Sequence, residues 1–330
     1  MARALRSAVT KHPLLMTAAA LVIAAILGAA AFYAYAGAYG FNVVLRRGST
    51  IWVTVRADDP RLSSSMRQAL EEHPPPATPG PFIWREVDSG FEVAELPVLA
   101  GGQEVDRILL ARIDPQRFRF VVRNAPSGNR ELGDWMTALG AILVINGSYF
   151  AMDGTPDTPL RSDGIALGPP AYKATHGAFL ASPGFTGIHD LAREDWRAAF
   201  GDARDALVSY PLLLAADGSS RVVAGGHWLA NRSFVGEDGA GRIILGTTAD
   251  AFFSLDRLAR FLREAPLQLT LALNLDGGPV ACQGIALNGY RRDFCGSWEL
   301  AERDGELKLW QPLLGKGRVA MPIVLAILPK

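Results

Sequence analysis

The sequence predicts an α/β (α+β) domain of strands with flanking helices, carried behind one N-terminal transmembrane helix. Three observations lead there. An uncharged stretch rich in Ala, Leu and Ile runs from Pro13 to Phe41. Short apolar runs ending in turn residues recur through the remainder and read as interior strands. Between them lie amphipathic segments. The clearest is Ser254–Glu264, with Ser254 placed to cap it and Leu255, Leu258, Ala259 and Leu262 on one face.

The apolar stretch sets the address. A membrane span needs about 20 apolar residues, whereas the core of a cleavable signal needs only ~7–15. The length from Pro13 to Phe41 favours an uncleaved anchor, and Arg3, Arg6 and Lys11 hold the tip before it in the cytoplasm by the positive-inside rule. Ala34-Tyr35-Ala36 offers a small-x-small cleavage pattern, so a removed signal is the alternative. Either way the remainder is exported. The expectation is a single-pass protein of the inner (cytoplasmic) membrane, held through residues 13–41, with its C-terminal domain in the periplasm or outside the cell.

Residues 42–81 read as a stalk region: Asn42–Leu45 and Ser49–Val55 as a short extended stalk or an edge hairpin, a short helix over Arg61–Glu72, then a linker at Pro74–Pro81, where five of eight residues are proline. The domain itself spans 82–330. Gly90–Leu99 and Asp106–Ile113 read as strands, and Arg117–Arg123 alternates basic and apolar residues so that one face is wet. Gly128–Gly140 has the pattern of a helix closed by glycine and runs directly into the strand Ala141–Ile145. Pro156–Gly168 lacks period and is dense in turn formers, the kind of loop that carries function. Leu191–Phe200 then reads as helix, Leu207–Ala215 and Arg242–Thr247 as strands, and Met321–Leu328 as a central strand.

Composition narrows the function. A chain of 330 residues with 49% hydrophobic content can fill a substantial core. Lys+Arg and Asp+Glu are 33 each, which is not the basic footprint of a nucleic-acid binder, so no nucleic-acid partner is expected. Cys282 and Cys295 are the two cysteines. In an oxidising compartment they make one local bridge closing Gln283–Phe294, with two buried free thiols as the alternative.

Two strand ends share one construction. Leu271-Ala272-Leu273-Asn274-Leu275 delivers Asp276 and then Gly277-Gly278, and Ala141–Ile145 delivers Asn146-Gly147-Ser148-Tyr149-Phe150. A carboxylate at a strand end leaves the core with its charge aimed above the sheet, and glycines let backbone amides or a ligand approach closely. Asn274 and Asp276, two apart, leave the same face. The alternative is a pair of tight turns whose Asp and Asn satisfy their own backbone.

Familiar catalytic signatures are missing: no G-x-S-x-G, H-E-x-x-H, P-loop or G-x-G-x-x-G. His176, His189 and His227 are scattered. No cofactor is expected, and no ligand spacing supports a divalent metal, so the metal set is unknown. What remains is carboxylates, amides and an arginine. Arg232, in Asn231-Arg232-Ser233-Phe234-Val235-Gly236, can hold phosphate through paired hydrogen bonds or can make a surface ion pair.

These residues resemble a family. Asn146-Gly147-Ser148-Tyr149-Phe150 is similar to the N-G/A-G-F-F motif of the phosphodiester glycosidase domain, the family of the lysosomal uncovering enzyme that removes N-acetylglucosamine from phosphomannosyl glycans. Tyr210-Pro211-Leu212-Leu213-Leu214 resembles its P-L-L-V strand, Asn231–Gly236 its A-R-T-A-I-G motif, and Ala272–Gly278 its final A-L-N-L-D-G-G motif. Order and spacing agree over about residues 85–328. The resemblance implies a mixed sheet and hydrolysis of a sugar-1-phosphodiester between the anomeric carbon and the phosphate oxygen. Carried over, Arg232 would hold phosphate, Asp276 would act at the anomeric centre or orient water, and Asn146 and Asn274 would fix the sugar. Gly147, Ser148, Ser233, Gly277 and Gly278 complete the expected substrate contacts. Glycosidases use two carboxylates about 5–9 Å apart, and Asp163 or Asp153, in the irregular loop, is the expected second.

Three departures stand out. Pro279-Val280-Ala281 replaces the hydroxyl residues that often follow D-G-G, Ser148 replaces a glycine, and Ser209-Tyr210 precedes the Pro-Leu strand. The expected function is an exported, membrane-anchored hydrolase of a sugar-1-phosphodiester in a cell-envelope glycan or polymer. The alternative is a non-catalytic glycan- or phosphate-binding envelope protein on the same fold.

Overall fold

A computed structural model describes residues 13–47, 50–182, 184–201, 203–223, 228–312 and 318–330. The basic tip with Arg3, Arg6 and Lys11, and His227, lie outside the described residues. Among the described residues strands dominate, with four α-helices among them and one long helix before them.

That long helix is Pro13–Arg47, and its Leu14–Val44 stretch has mean hydropathy 2.4 and is long and apolar enough to cross a membrane. Its first turns are exposed. Gly37 breaks the rod, with φ 64° and ψ −172°. Beyond the break the helix lies on the folded body: the Tyr39 ring packs edge-on against Phe150 at 5.1 Å, and Asn42 Nδ2 donates to the Ser127 carbonyl at 2.6 Å. Asn42–Leu45 therefore continues the helix and is not the extended stalk or edge hairpin expected, and Asn42 ties it to the domain.

The expected stalk is woven into the body. Thr50–Val55 pairs in register with Glu306–Pro312, and Ala77–Pro79 pairs with Phe91–Ala100. The short helix, Ser64–Ala69, is capped by Ser63 and buries Met66 and Ala69 in the main core. Pairing partners this far apart in sequence leave no local trace.

The described strands form four sheets. The largest runs Leu212–Leu214, Leu269–Asn274, Ser233–Asp238, Ile243–Thr248, Gln103–Ile113, Phe91–Ala100, Ala77–Pro79, with Arg85–Asp88 also on Phe91–Ala100. A second runs Tyr290–Cys295, Cys282–Leu287, Leu143–Asn146, Ile323–Pro329, Phe118–Asn124. One face of each meets the other in a shared core that includes Leu143, Ile145, Leu245, Leu273, Ile285 and Leu325. Helix Leu255–Glu264, capped by Ser254 as expected, covers the outer face of the large sheet with Leu258, Ala259, Phe261 and Leu262. Helix Leu132–Leu139, closed by Gly140 at φ 59°, covers the second sheet with the buried Trp135. A third sheet holds Phe185–Asp190, Gly177–Ser182, Asp205–Ser209, Leu160–Ser162 and Ile165–Leu167, so part of the loop expected at Pro156–Gly168 is paired. The fourth runs Thr50–Val55, Glu306–Pro312, Glu299–Arg303, Leu229–Ala230.

The β-rich domain with flanking helices stands as expected, with one refinement. All pairings among the described strands are antiparallel, where a mixed sheet was implied. Several neighbours are joined by tight turns, such as Gly101-Gly102 between Phe91–Ala100 and Gln103–Ile113, and such turns reverse the chain. Cys282 and Cys295 face each other across the hairpin and form the disulfide. Replacing both with serine is expected to cost about 2–4 kcal/mol, read as a fall in the thermal midpoint that reducing agent reproduces in the parent protein.

Candidate active site

The site is built where the large sheet ends. Backbone hydrogen bonds tie three separated motifs together: Leu275 N donates to Ser233 O at 2.9 Å, Asp276 N to Gly147 O at 3.0 Å, and Gly278 N to Asn231 O at 2.8 Å. Asn146 completes the knot. Its Nδ2 donates to Asp276 O at 2.8 Å, and its Oδ1 accepts from Cys282 N at 3.1 Å. The backbone on both sides of the Asp-Gly-Gly turn is thereby fixed before any ligand arrives.

A cavity of about 810 Å³ opens at this turn. Its walls include Tyr149, Tyr210, Trp228, Arg232, Asp276, Gly277 and Glu299, together with Leu255 and Arg257 of the capped helix. Asp276 Oδ1 accepts from Gly277 N at 2.8 Å. Burial pushes the Asp276 carboxyl up to about 8, and the nearby Glu299 charge adds to the rise, against the Gly277 amide and the Arg232 guanidinium. At neutral pH this acid holds its proton. Glu299 is also raised, by burial first, and its Oε1 accepts from the Trp228 indole N–H at 3.1 Å.

Arg232 is only 4% exposed. Its Nε donates to Phe253 O at 3.2 Å and its Nη2 to Trp228 O at 2.6 Å. Nη1 lies beside the turn, 3.2 Å from where a Cβ on Gly277 would sit. Burial lowers this guanidinium's pKa, while Tyr149, Glu299 and Asp276 oppose the shift. The alternative reading of Arg232, a surface ion pair, is not met among the described residues; Arg232 is a buried cation at a cavity wall.

Aromatic rings make a further part of the wall. Tyr149 stacks on Tyr210 at 4.3 Å, and His176 stacks on Tyr210 at 4.7 Å. Asn274 Nδ2 donates to Tyr149 Oη at 2.7 Å and to Tyr210 O at 3.0 Å, fixing the stack from behind. Burial raises both phenols, Tyr210 to about 12, so both remain hydrogen-bond donors.

The sequence-expected residues divide accordingly. Asp276, Arg232 and Gly277 line the cavity, and Asn274 and Asn146 position what lines it. Gly147 packs so tightly that a Cβ would lie 2.4 Å from Ile323 Cγ2, and Ser148 is buried with its Oγ unpartnered. Ser233 Oγ is spent on Thr247 Oγ1 at 2.9 Å inside the core. Asp163 is a correction. It sits at the exposed turn between Leu160–Ser162 and Ile165–Leu167, pairs with Arg204, and is not at the cavity. That ion pair holds its carboxyl below the usual range. Asp153 is likewise exposed and bonded to Thr155. Glu299 and the Tyr149–Tyr210 stack were not anticipated; Tyr210 is the very residue at which the chain departs from the motif. No group of three His, Cys, Asp or Glu side chains is placed to hold a metal ion among the described residues.

Gly278 has φ +68°, and a Cβ there would lie 2.7 Å from Glu299 Oε2. Gly278→Ala is expected to lower stability by about 1–3 kcal/mol and to push Glu299 out of place, which thermal melting and ligand titration together would register.

A β-rich domain that brings a buried acid and a buried arginine to one cavity beside a glycine turn has the makings of a hydrolase-type site. Residues 139–282 match the model of the phosphodiester glycosidase family, and the resemblance carried by the sequence motifs is thereby shown over that segment. Among solved structures, the catalytic domain of zebrafish N-acetylglucosamine-1-phosphodiester alpha-N-acetylglucosaminidase, auto-inhibited by its pro-peptide, is 16% identical over 86% of this chain and 88% of that one, with TM-score 0.49. A hypothetical protein from Synechocystis is 15% identical over 76% of this chain, with TM-score 0.47, and this chain spans 64% of its length. A putative exported protein from Burkholderia pseudomallei K96243 is 13% identical, covering 71% of this chain and 76% of that one, with TM-score 0.38. No curated protein matches the sequence.

Proposed function

We propose that this protein is an exported, membrane-anchored phosphodiester glycosidase that hydrolyses a sugar-1-phosphodiester of a cell-envelope glycan or polymer, at the bond between the anomeric carbon and the phosphate oxygen. The observation that carries the reading is the meeting of Asp276 and Arg232 on one cavity at the Gly277-Gly278 turn. Arg232 Nη1, with the other two guanidinium nitrogens anchored, holds the phosphate and stabilises charge leaving on it. Asp276, protonated at neutral pH, gives its proton to the departing phosphate oxygen. Tyr149, Tyr210 and Trp228 offer ring faces to a sugar. The apolar helix supports the membrane placement and the disulfide supports an oxidising compartment.

The test is sugar release by the purified full-length protein in detergent, from a panel of hexose-1-phosphate methyl diesters, with the matching methyl glycosides as controls and with chelator in parallel. Release from diesters and not from glycosides supports the reading. Saturable binding of diesters with no release from a folded protein would favour the glycan-binding alternative.

A further inference from the structure

We propose that Glu299 is the second carboxylate of this site, the base that takes a proton from the attacking water while Asp276 supplies the acid proton. The assignment rests on the phosphodiester glycosidase reading. It uses a residue outside the family match, on a sheet to which the matched segment contributes only Leu229–Ala230.

The geometry is built to bring Glu299 there. Asn231, next to Arg232, accepts on its Oδ1 from both Ser297 N and Trp298 N at 3.0 Å, and its carbonyl accepts from Gly278 N at 2.8 Å. Gly296 N donates to Ala281 O at 2.6 Å. One asparagine therefore fixes the approach to Glu299 and the turn after Asp276 together. The Glu299 carboxylate then rests on that turn, with Oε2 2.7 Å from where a Gly278 Cβ would be. The glycine is what makes room for the acid. Oε1 holds the Trp228 indole N–H at 3.1 Å, and the Trp228 carbonyl accepts from Arg232 Nη2 at 2.6 Å, so carboxylate, indole and guanidinium form one continuous set of contacts. Oε2 receives no hydrogen bond from the described residues, which leaves it free for a water.

The step balances. Water oxygen bonds to the anomeric carbon as the carbon–oxygen bond to phosphate breaks, and that bonding pair leaves with the phosphate oxygen. The phosphate oxygen takes the Asp276 proton, and the water proton passes to Glu299. The products are the free sugar and a phosphomonoester, with Glu299 protonated and Asp276 ionised. One proton passing between the two carboxyls restores the start. The raised Asp276 carboxyl, held up in part by the Glu299 charge, is the electrostatic counterpart of such a shared proton.

The experiment compares Glu299→Gln and Glu299→Ala with the parent full-length protein on the best diester of the panel. Glutamine keeps an acceptor for Trp228, so the wall stays in place. Expected for Glu299→Gln is a fall in kcat of about 10²–10⁴-fold with KM changed only a few-fold. The acidic limb of the pH profile disappears, and the alkaline limb moves down because Asp276 loses its negative neighbour. Sodium azide restores turnover of Glu299→Ala, with a glycosyl azide as product. An unchanged kcat would overturn the assignment, as would a loss confined to KM and melting temperature with both pH limbs intact and no azide product. If the parent hydrolyses no diester, the catalytic role falls with the reading itself. A 13C titration of the Asp276 carboxyl separates the two failures: a lower apparent pKa in Glu299→Gln upholds the coupled pair, and an unchanged one overturns it.

Discussion

Asp276→Asn is expected to reduce sugar release by about 10²–10⁴-fold while the protein stays folded. Asparagine keeps the size of the side chain and an oxygen for the Gly277 amide, which sits 2.8 Å from Oδ1 in the parent. What it removes is the transferable proton. A second readout follows from the same residue. The folded protein holds this proton up to about pH 8, whereas an ordinary carboxyl loses it near 3.8. Between those values the native state binds more protons than the unfolded chain, so stability falls as pH rises from about 4 to about 8. Asp276→Asn flattens this dependence. Denaturant midpoints measured at pH 5 and pH 8 should therefore differ less in the variant than in the parent. Equal slopes would mean that Asp276 ionises normally.

Arg232 is expected to give the second large effect. Arg232→Ala removes the phosphate contact and strands the carbonyls of Phe253 and Trp228, so both catalysis and stability suffer. Arg232→Lys is the cleaner probe. It keeps the charge but cannot anchor two nitrogens and present a third, and kcat/KM should drop by about 10²–10³-fold, with product phosphomonoester inhibiting correspondingly less. Arg232 also opposes the rise of Asp276 and Glu299. In the alanine variant the alkaline limb of any residual activity should move upward, the reverse of the shift expected for Glu299→Gln. Retained inhibition by phosphomonoester in Arg232→Lys would place the phosphate elsewhere.

The turn of Leu271–Gly278 was legible because its chemistry is local: an apolar strand, a carboxylate and glycines in one run. Helix Leu255–Glu264 was legible for the same reason, since Ser254 and its apolar face are written within eleven residues. The position of Thr50–Val55 was not, because its partner is Glu306–Pro312 at the far end of the chain. The proposed second carboxylate is equally remote from its neighbours in sequence. Asp163 and Asp153 follow Asn146 in sequence and so suggest themselves, but Asp153 lies in the exposed turn Ala151–Thr155 and Asp163 at the exposed hairpin of a separate sheet. Glu299 arrives through Asn231, whose side chain reaches Ser297 and Trp298 some 66 residues on. No spacing rule links these positions. The family resemblance places Asn146 among the sugar contacts; in the structure its side chain bonds Asp276 O and Cys282 N and so holds the turn in place.

The most direct test of the account is which bond breaks. Hydrolysis of a sugar-1-phosphodiester in 18O-water, followed by 31P NMR of the phosphomonoester, reads it without ambiguity. The account predicts unlabelled phosphomonoester, with the new oxygen entering at the anomeric carbon. An 18O-shifted phosphorus signal would mean attack at phosphorus and would contradict it.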